Sequence, residues 1–422
     1  MATIAKHAAR TSLQASACRF CGTPLETTFI DLGAQPLSNS YLRTADLGRM
    51  EAFYPLHAYV CTGCSLVQLE EQQSPEQIFS DYAYFSSYSQ SWLDHAQAYC
   101  TAMTQRFGID SSKQVIEIAS NDGYLLQYFA AANVPVLGIE PARNVALVAQ
   151  QRGIPTRVTF FGRASARKLV ADGYAADLLV ANNVLAHVPD LNDFVAALRI
   201  ALKPDGILTI EFPHLLRLME SSQFDTIYHE HFSYFSFAAV ERVFAAHGLT
   251  LFDVENLPTH GGSLRIYACH AGAEREIDSR VETMRRREQD AGLEDIASYE
   301  GFGEQVKKVK RQLLRFLIDA KNAGKSVAAY GAAAKGNTLL NYCGIGPDMI
   351  DFVADANPHK QNLFLPGSRI PIVPPERIAE ARPDYLLILP WNLTPEIIEA
   401  NAFIRNWGGQ FVVPIPETKI IP

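Results

Sequence analysis

The sequence predicts an α/β protein in three parts, the second and third being parallel-sheet domains. Three observations predict it. Two C-x-x-C pairs are confined to the first 64 residues, strand and helix patterns alternate between 115 and 213, and a second alternation runs from 327 to 421. Alternation of this kind builds parallel sheets covered by helices. A chain of 422 residues has room for two or three such units. Apolar residues make up 48% and charged residues 19%, which excludes intrinsic disorder. The net charge of −8 carries no overall basic footprint, so no nucleic-acid partner is expected. No apolar run reaches the length of a membrane span, so no membrane partner is expected either. The first residues are positively charged but lack an apolar stretch, and read as a frayed start, not a secretory signal. The expectation is a cytoplasmic, monomeric chain with reduced cysteines.

The first part is assigned to residues 1–80. Of seven cysteines, four form the pairs CRFC (Cys18, Cys21) and CTGC (Cys61, Cys64). Each pair puts two thiolates on one tight turn, and two such knuckles complete a four-sulfur shell with no open position. That is the structural kind of zinc site. His57 is a possible competitor, but its alternating surroundings, YPLHAYV, read as a strand. Cys100, Cys269 and Cys343 sit in apolar surroundings and read as buried thiols.

The second part is assigned to residues 81–272. VIEIA reads as a buried strand, SNDG as a turn and YLLQYFAAA as a helix. VPVLGIE is a second strand ending in Glu140, and PARNVALVAQQ opens a second helix. A carboxylate at the tip of the second strand binds ribose hydroxyls in doubly wound folds. The turn has one glycine, Gly123, and is not the dinucleotide fingerprint. Its residues Ala119, Ser120, Asn121 and Asp122 bring a carboxylate where a pyrophosphate would want bare amides. S-adenosylmethionine, cationic and free of phosphate, fits such a turn. DLLVANN (with Asn182 and Asn183), the helix NDFVAALRIAL, the turn KPDG and the strand ILTIEFP continue the class I methyltransferase plan. VTFFG places Phe160 or Phe161 against an adenine face. Beyond that strand, Tyr228, His229, Glu230 and His231 are consecutive and Tyr234 follows, a density of proton-transfer groups suited to acid–base chemistry. His260, with Gly261 and Gly262, reads as a close-approach turn near the same site.

The third part is assigned to residues 273–422. Residues 274–324 are rich in charge and helix formers. KSVAAYGAAAKGNTLLNYCGI then reads as strand, loop and helix, followed by strands in MIDFVADAN, PDYLLILP and GQFVVPIPETKII. The loop brings Lys335, Gly336, Asn337 and Thr338 to a helix start, where amide donors, the positive helix end and a cation converge on an anion. It lacks the order of a Walker motif. The whole reads as a Rossmann-like domain.

The succession CRFC, CTGC, EIASNDGYLL, GIEPARNVA, ANNVLAHVPD, IEFPHL, FDTIYHEHFSYFS and THGGSLRIYACH resembles the nucleotide-sugar C-methyltransferases of branched deoxysugar biosynthesis, across almost the whole chain. The resemblance implies methylation of a carbon beside the ketone of a 4-keto-deoxy, dTDP-linked nucleotide sugar, C3 before C5. It implies His231 as general base, Tyr228 as holder of the enolate oxygen, Glu230 as supporting carboxylate and His187 as a further active-site histidine. Tyr84 resembles a tyrosine that closes over the cofactor, and Asn39 and Tyr41, in QPLSNSYL, resemble nucleotide contacts. The Rossmann-like domain, through Lys335 to Thr338, would dock the nucleotide sugar with the zinc-binding part. Three other readings compete: an NAD-dependent epimerase or dehydrogenase, an O- or N-methyltransferase, and an assembly protein with a decayed core. The single-glycine turn opposes the first, and the intact acid–base cluster opposes the last.

Overall fold

The computed structural model describes residues 16–74 and 85–422, which form three sheets. The first begins with β1 (Thr27–Gln35), β2 (Tyr54–Val60) and β3 (Val67–Leu69), paired antiparallel. His57 lies on β2, as its alternating neighbours require, and bonds Thr28 at 2.9 Å. Cys100, Cys269 and Cys343 are buried.

The second sheet contains β4 (Val115–Ile118), β5 (Val136–Ile139), β6 (Thr156–Arg157), β7 (Ala176–Asn182) and β8 (Leu202–Pro213), all parallel. Every residue of β4 is buried, which is why it reads as a continuous apolar run with a single acid. KPDG, expected as a turn, is absorbed into β8 as an irregularity: Ala176 pairs with Leu202, and the next partners are Leu178 and Ile207. After β8 the chain leaves the sheet, and β9 (Ser233–Tyr234) pairs with β3, so the YHEH segment is anchored to the cysteine-bearing sheet. The chain then returns as β10 (Leu249–Leu257) and β11 (Ser263–His270). The order is β10-β11-β8-β7-β4-β5-β6, with β11 antiparallel to both neighbours. This is the class I methyltransferase arrangement expected from the sequence.

The third sheet follows the helices Ser279–Asp290 and Phe302–Asn322. Its strands are β12 (Val327–Tyr330), β13 (Val353–Ala354), β14 (Ile372–Val373), β15 (Tyr385–Ile388), β16 (Gln410–Val413) and β17 (Lys419–Ile421). The order is β14-β13-β12-β15-β16-β17, parallel except for β17. Strand order reverses direction between β4 and β7 and again between β12 and β15, and ligands bind in such crevices at the carboxyl ends of the strands. One apolar core joins the first sheet to the third; within it Phe29 stacks on Phe302 with ring centroids 4.7 Å apart. Among the described residues no helix is long and apolar enough to cross a membrane.

Candidate active site

The four sulfurs of Cys18, Cys21, Cys61 and Cys64 all lie within 4.8 Å of one another. Cys18 and Cys64 are 3.6 Å apart, and Cys21 and Cys61 3.4 Å. A tetrahedral zinc with Zn–S bonds of about 2.3 Å sets its sulfurs about 3.8 Å apart, so the cluster fits that ion. The Gln68 amide donates to Cys18 Sγ at 3.1 Å and the Gly63 N–H to Cys61 Sγ at 3.4 Å, which suits sulfurs carrying negative charge. All four positions are filled by protein, leaving none for a reacting group.

A cavity of about 670 Å³ opens at the carboxyl ends of both parallel sheets. From the second sheet, Ala119 and Asn121 follow β4, Glu140 follows β5, Phe160 and Phe161 follow β6, Asn182 ends β7 and Asn183 follows it. The Glu140 carboxylate accepts from the amides of Asn121 (2.9 Å) and Ala142 (2.8 Å), which fix it at the rim with further lone pairs to offer. Burial raises its pKa, opposed by those two bonds. Phe161 packs edge-on against Phe194, while Phe160 is 38% exposed and presents the freer ring. Ala119, Asn121, Asn183 and His260 all line the cavity with φ between 49° and 56°. Left-handed backbone at a non-glycine residue costs about 1–3 kcal/mol and concentrates at ligand sites.

Two members of the β4 turn point elsewhere. The Asp122 carboxylate is paired with Arg152 at 3.1 Å and bonded to Ser87, so it steadies the turn from behind and offers no counter-charge to a ligand. Ser120 is fully buried beside Gly138 and does not line the cavity. Tyr84 lies outside the described residues.

His231, Tyr228, Glu230 and His187 meet on one wall. His231 Nδ1 is 2.9 Å from the Thr226 carbonyl, an acceptor, so Nδ1 carries the proton and Nε2 the lone pair. Tyr228 Oη lies 2.9 Å from that Nε2 and donates to it. His187 Nδ1 donates to the Glu230 carbonyl at 2.8 Å, and its ring sits 4.7 Å from that of His231. Burial drives His231 well below the usual histidine value and His187 down to about 4, so both are neutral at pH 7. Burial pushes the Glu230 carboxyl up to about 7, although Asn39 Nδ2 donates to it at 2.7 Å. His260 is held down to about 4 by burial and the nearby Lys335 charge.

The third sheet contributes Ala333, Ala334, Lys335 and Lys360. Lys335 donates to Asn392 at 2.6 Å and lies over the Trp391 ring, 4.8 Å from its centroid. Its three followers do not face the cavity. The helix Ala334–Cys343 starts earlier than the expected loop allows, so consecutive residues point in different directions around its first turn. Gly336 faces Leu389, whose Cβ a methyl there would meet at 3.0 Å. Asn337 donates to the Ser38 carbonyl and Thr338 to the Ile227 carbonyl at 3.0 Å, so both fasten the third sheet to its neighbours. Tyr41 is also off the cavity: its hydroxyl donates to the Ala332 carbonyl at 2.6 Å, beneath Lys360. Trp92, Tyr124, Thr226 and Lys360 line the cavity without having been singled out in the sequence. Lys360, following β13, could have been found from the rule that loops at carboxyl strand ends carry sites. Trp92 gave no signal beyond an amphipathic helix.

Three family models match in succession: a putative zinc-binding domain over residues 18–79, a methyltransferase domain over 92–254 and a C-methyltransferase C-terminal domain over 258–416. C-methyltransferase NovU of Streptomyces niveus is 36% identical over 405 residues, covering 96% of each chain. The chain belongs to the C-methyltransferase family. It is an S-adenosylmethionine-dependent C-methyltransferase with a zinc-binding domain, which displaces the NAD-dependent, O- or N-methylating and decayed readings. Two solved structures align over part of it. PH0226 from Pyrococcus horikoshii OT3 covers 46% of this chain and 97% of its own (16% identity, TM-score 0.37). Magnesium protoporphyrin IX methyltransferase from Synechocystis PCC 6803 covers 43% and 79% (15% identity, TM-score 0.32).

Proposed function

We propose that the enzyme methylates a carbon beside the ketone of a 4-keto-deoxy nucleotide sugar, dTDP-linked, in the cytoplasm. The observation that carries this reading is the Tyr228–His231 pair, a neutral imidazole lone pair and a phenol 2.9 Å apart on the cavity wall. A hydrogen beside a ketone is a carbon acid whose anion spreads onto the carbonyl oxygen. Removing it needs a base at carbon and a donor at oxygen together. His231 Nε2 takes the proton, and its Nδ1–H, held by Thr226, stabilises the imidazolium that results. Tyr228 gives its hydrogen bond to the developing oxyanion. The same hydroxyl caps Nε2 before substrate arrives, so a ketone oxygen that draws it away also frees the base. Glu230 and His187 support the pair, the first held by Asn39 and the second by the Glu230 carbonyl.

S-adenosylmethionine supplies an electrophilic methyl group to the carbon. Glu140 would accept from its ribose hydroxyls, Phe160 or Phe161 would lie against its adenine, and Ala119, Asn121, Asn182 and Asn183 would complete that half of the cavity. On the other half, Lys335 and Lys360 bring two cations toward the diphosphate, with Asn39 and His260 beside them. The resemblance favours C3 over C5, and both carbons flank the ketone. Incubation with methyl-labelled S-adenosylmethionine and a panel of 4-keto nucleotide sugars tests the reading. A product bearing a new carbon–methyl bond next to C4 is expected, and NMR identifies the carbon. Label found only on oxygen or nitrogen, or on no sugar of the panel, overturns it.

A further inference from the structure

Trp391 stands in the loop after β15 and belongs to none of the groups assigned above. Its indole N–H donates to Asp225 Oδ2 at 2.7 Å. Asp225 is fully buried, and its other oxygen, Oδ1, has no hydrogen-bond partner. The next residue is Thr226, whose carbonyl receives His231 Nδ1–H at 2.9 Å. Gly261 presses on the opposite part of the same indole: a methyl there would meet Trp391 Cη2 at 2.4 Å, while the Gly261 carbonyl accepts from Gln223 at 2.8 Å. The Lys335 ammonium covers the ring face. One side chain from the third sheet therefore touches the segment leading to the base, the turn carrying His260 and the lysine of the cavity wall.

We infer that Trp391 is a positioning residue for the base: through Asp225 it fixes the Thr226 carbonyl that selects the His231 tautomer with its lone pair on Nε2. The inference rests on His231 acting as base. The chain of contacts is short and each link is directional. If the indole N–H is lost, the buried Asp225 carboxyl loses its one side-chain hydrogen bond and keeps only the nearby Lys335 charge and the backbone N–H groups of Asp225 and Thr226, so the segment must shift to compensate or the carboxyl must take a proton. Either outcome disturbs Thr226, and with it the orientation of the imidazole. The contacts of Glu140, Asn121 and the phenylalanines lie on other elements and remain in place. Trp391 thus acts on proton removal and leaves cofactor binding alone, whereas a general packing role would weaken both.

The test uses the full-length, zinc-loaded enzyme and a 4-keto nucleotide sugar that the wild type methylates. For Trp391→Phe, kcat and the cofactor-independent exchange of the acidic hydrogen into D₂O should fall together by about 10- to 100-fold, the scale of a misplacement of about 1 Å. S-adenosylmethionine affinity by calorimetry should not change. Adding Asp225→Asn removes the stranded carboxyl, so the double variant should be no slower than Trp391→Phe alone. Replacing Trp391 by its benzothienyl analogue deletes only the N–H and keeps the ring, which separates positioning from folding. Wild-type exchange in the benzothienyl protein, losses that multiply in the double variant, or an equal loss of cofactor affinity would each overturn the inference. His231→Ala serves as the separating control. Exchange that survives there removes the assignment of the base, whereas exchange lost there and kept on removing the indole N–H removes only the role of Trp391.

Discussion

Tyr228→Phe isolates the donor half of the proposed acid–base pair. The ring lies against His231 with centroids 4.0 Å apart, and this contact survives the substitution. Only the hydroxyl is lost, and with it the 2.9 Å bond to Nε2. Two effects then oppose each other. Uncapping Nε2 removes a ground-state hydrogen bond of about 0.5–1.5 kcal/mol and makes the base more accessible. Losing one oxyanion donor costs about 2.7–4 kcal/mol in the transition state. The second is larger, so methyl transfer should slow by roughly 10- to 400-fold after the offset. The assay is single-turnover methyl transfer beside deuterium uptake at the acidic carbon without cofactor. Both should fall by the same factor, because both need the enolate. Exchange at the wild-type rate in Tyr228→Phe would refute the reasoning, since the phenol would then have no part in forming the anion.

Four further outcomes are expected. With Glu230 held up to about 7 and both histidines well below neutrality, an inflection of kcat near pH 7 belongs to Glu230, and Glu230→Gln should remove it; an unchanged profile assigns it elsewhere. His187 has a lowered pKa in the fold, about 4 against 6.5, so the unfolded chain takes up its proton first and stability is lost as pH falls through that window. His187→Asn should flatten the decline seen in urea titrations between pH 6.5 and 4, by up to roughly 3 kcal/mol. Zinc removal should abolish methyl transfer, because β9 anchors the YHEH segment to β3 of the cysteine-bearing sheet; metal content by mass spectrometry should track activity while calorimetric cofactor binding persists. Thr338→Val should lower stability by about 1–3 kcal/mol in thermal unfolding, through an orphaned Ile227 carbonyl, without changing KM for the nucleotide sugar.

How much of this was legible in the chain depended on the range of the interactions. The zinc ligands were legible because each knuckle is a local turn, and Glu140 because an acid that ends a buried strand has one place to go. The YHEH cluster was legible as a concentration of titratable groups, yet its attachment to β3 was not: that pairing joins residues far apart in sequence. Asp122 misled for a similar reason. Its neighbours in the turn are local, but the arginine that claims it, Arg152, comes from the end of the second helix, beyond β5. At Lys335 the sequence located the helix start at the cavity but took four consecutive residues as one surface. The helical turn sends Lys335 to the cavity and Gly336, Asn337 and Thr338 into packing. Trp92 and Lys360 reach the cavity only through the arrangement of whole elements, which no short motif records.

The proposed proton removal by His231 can be measured apart from methyl transfer. With a 4-keto nucleotide sugar in D₂O and no methyl donor, the wild-type enzyme should place deuterium on the carbon that it later methylates. His231→Ala should leave that carbon protonated while still binding S-adenosylmethionine. Deuterium appearing at the wild-type rate in His231→Ala would contradict the account.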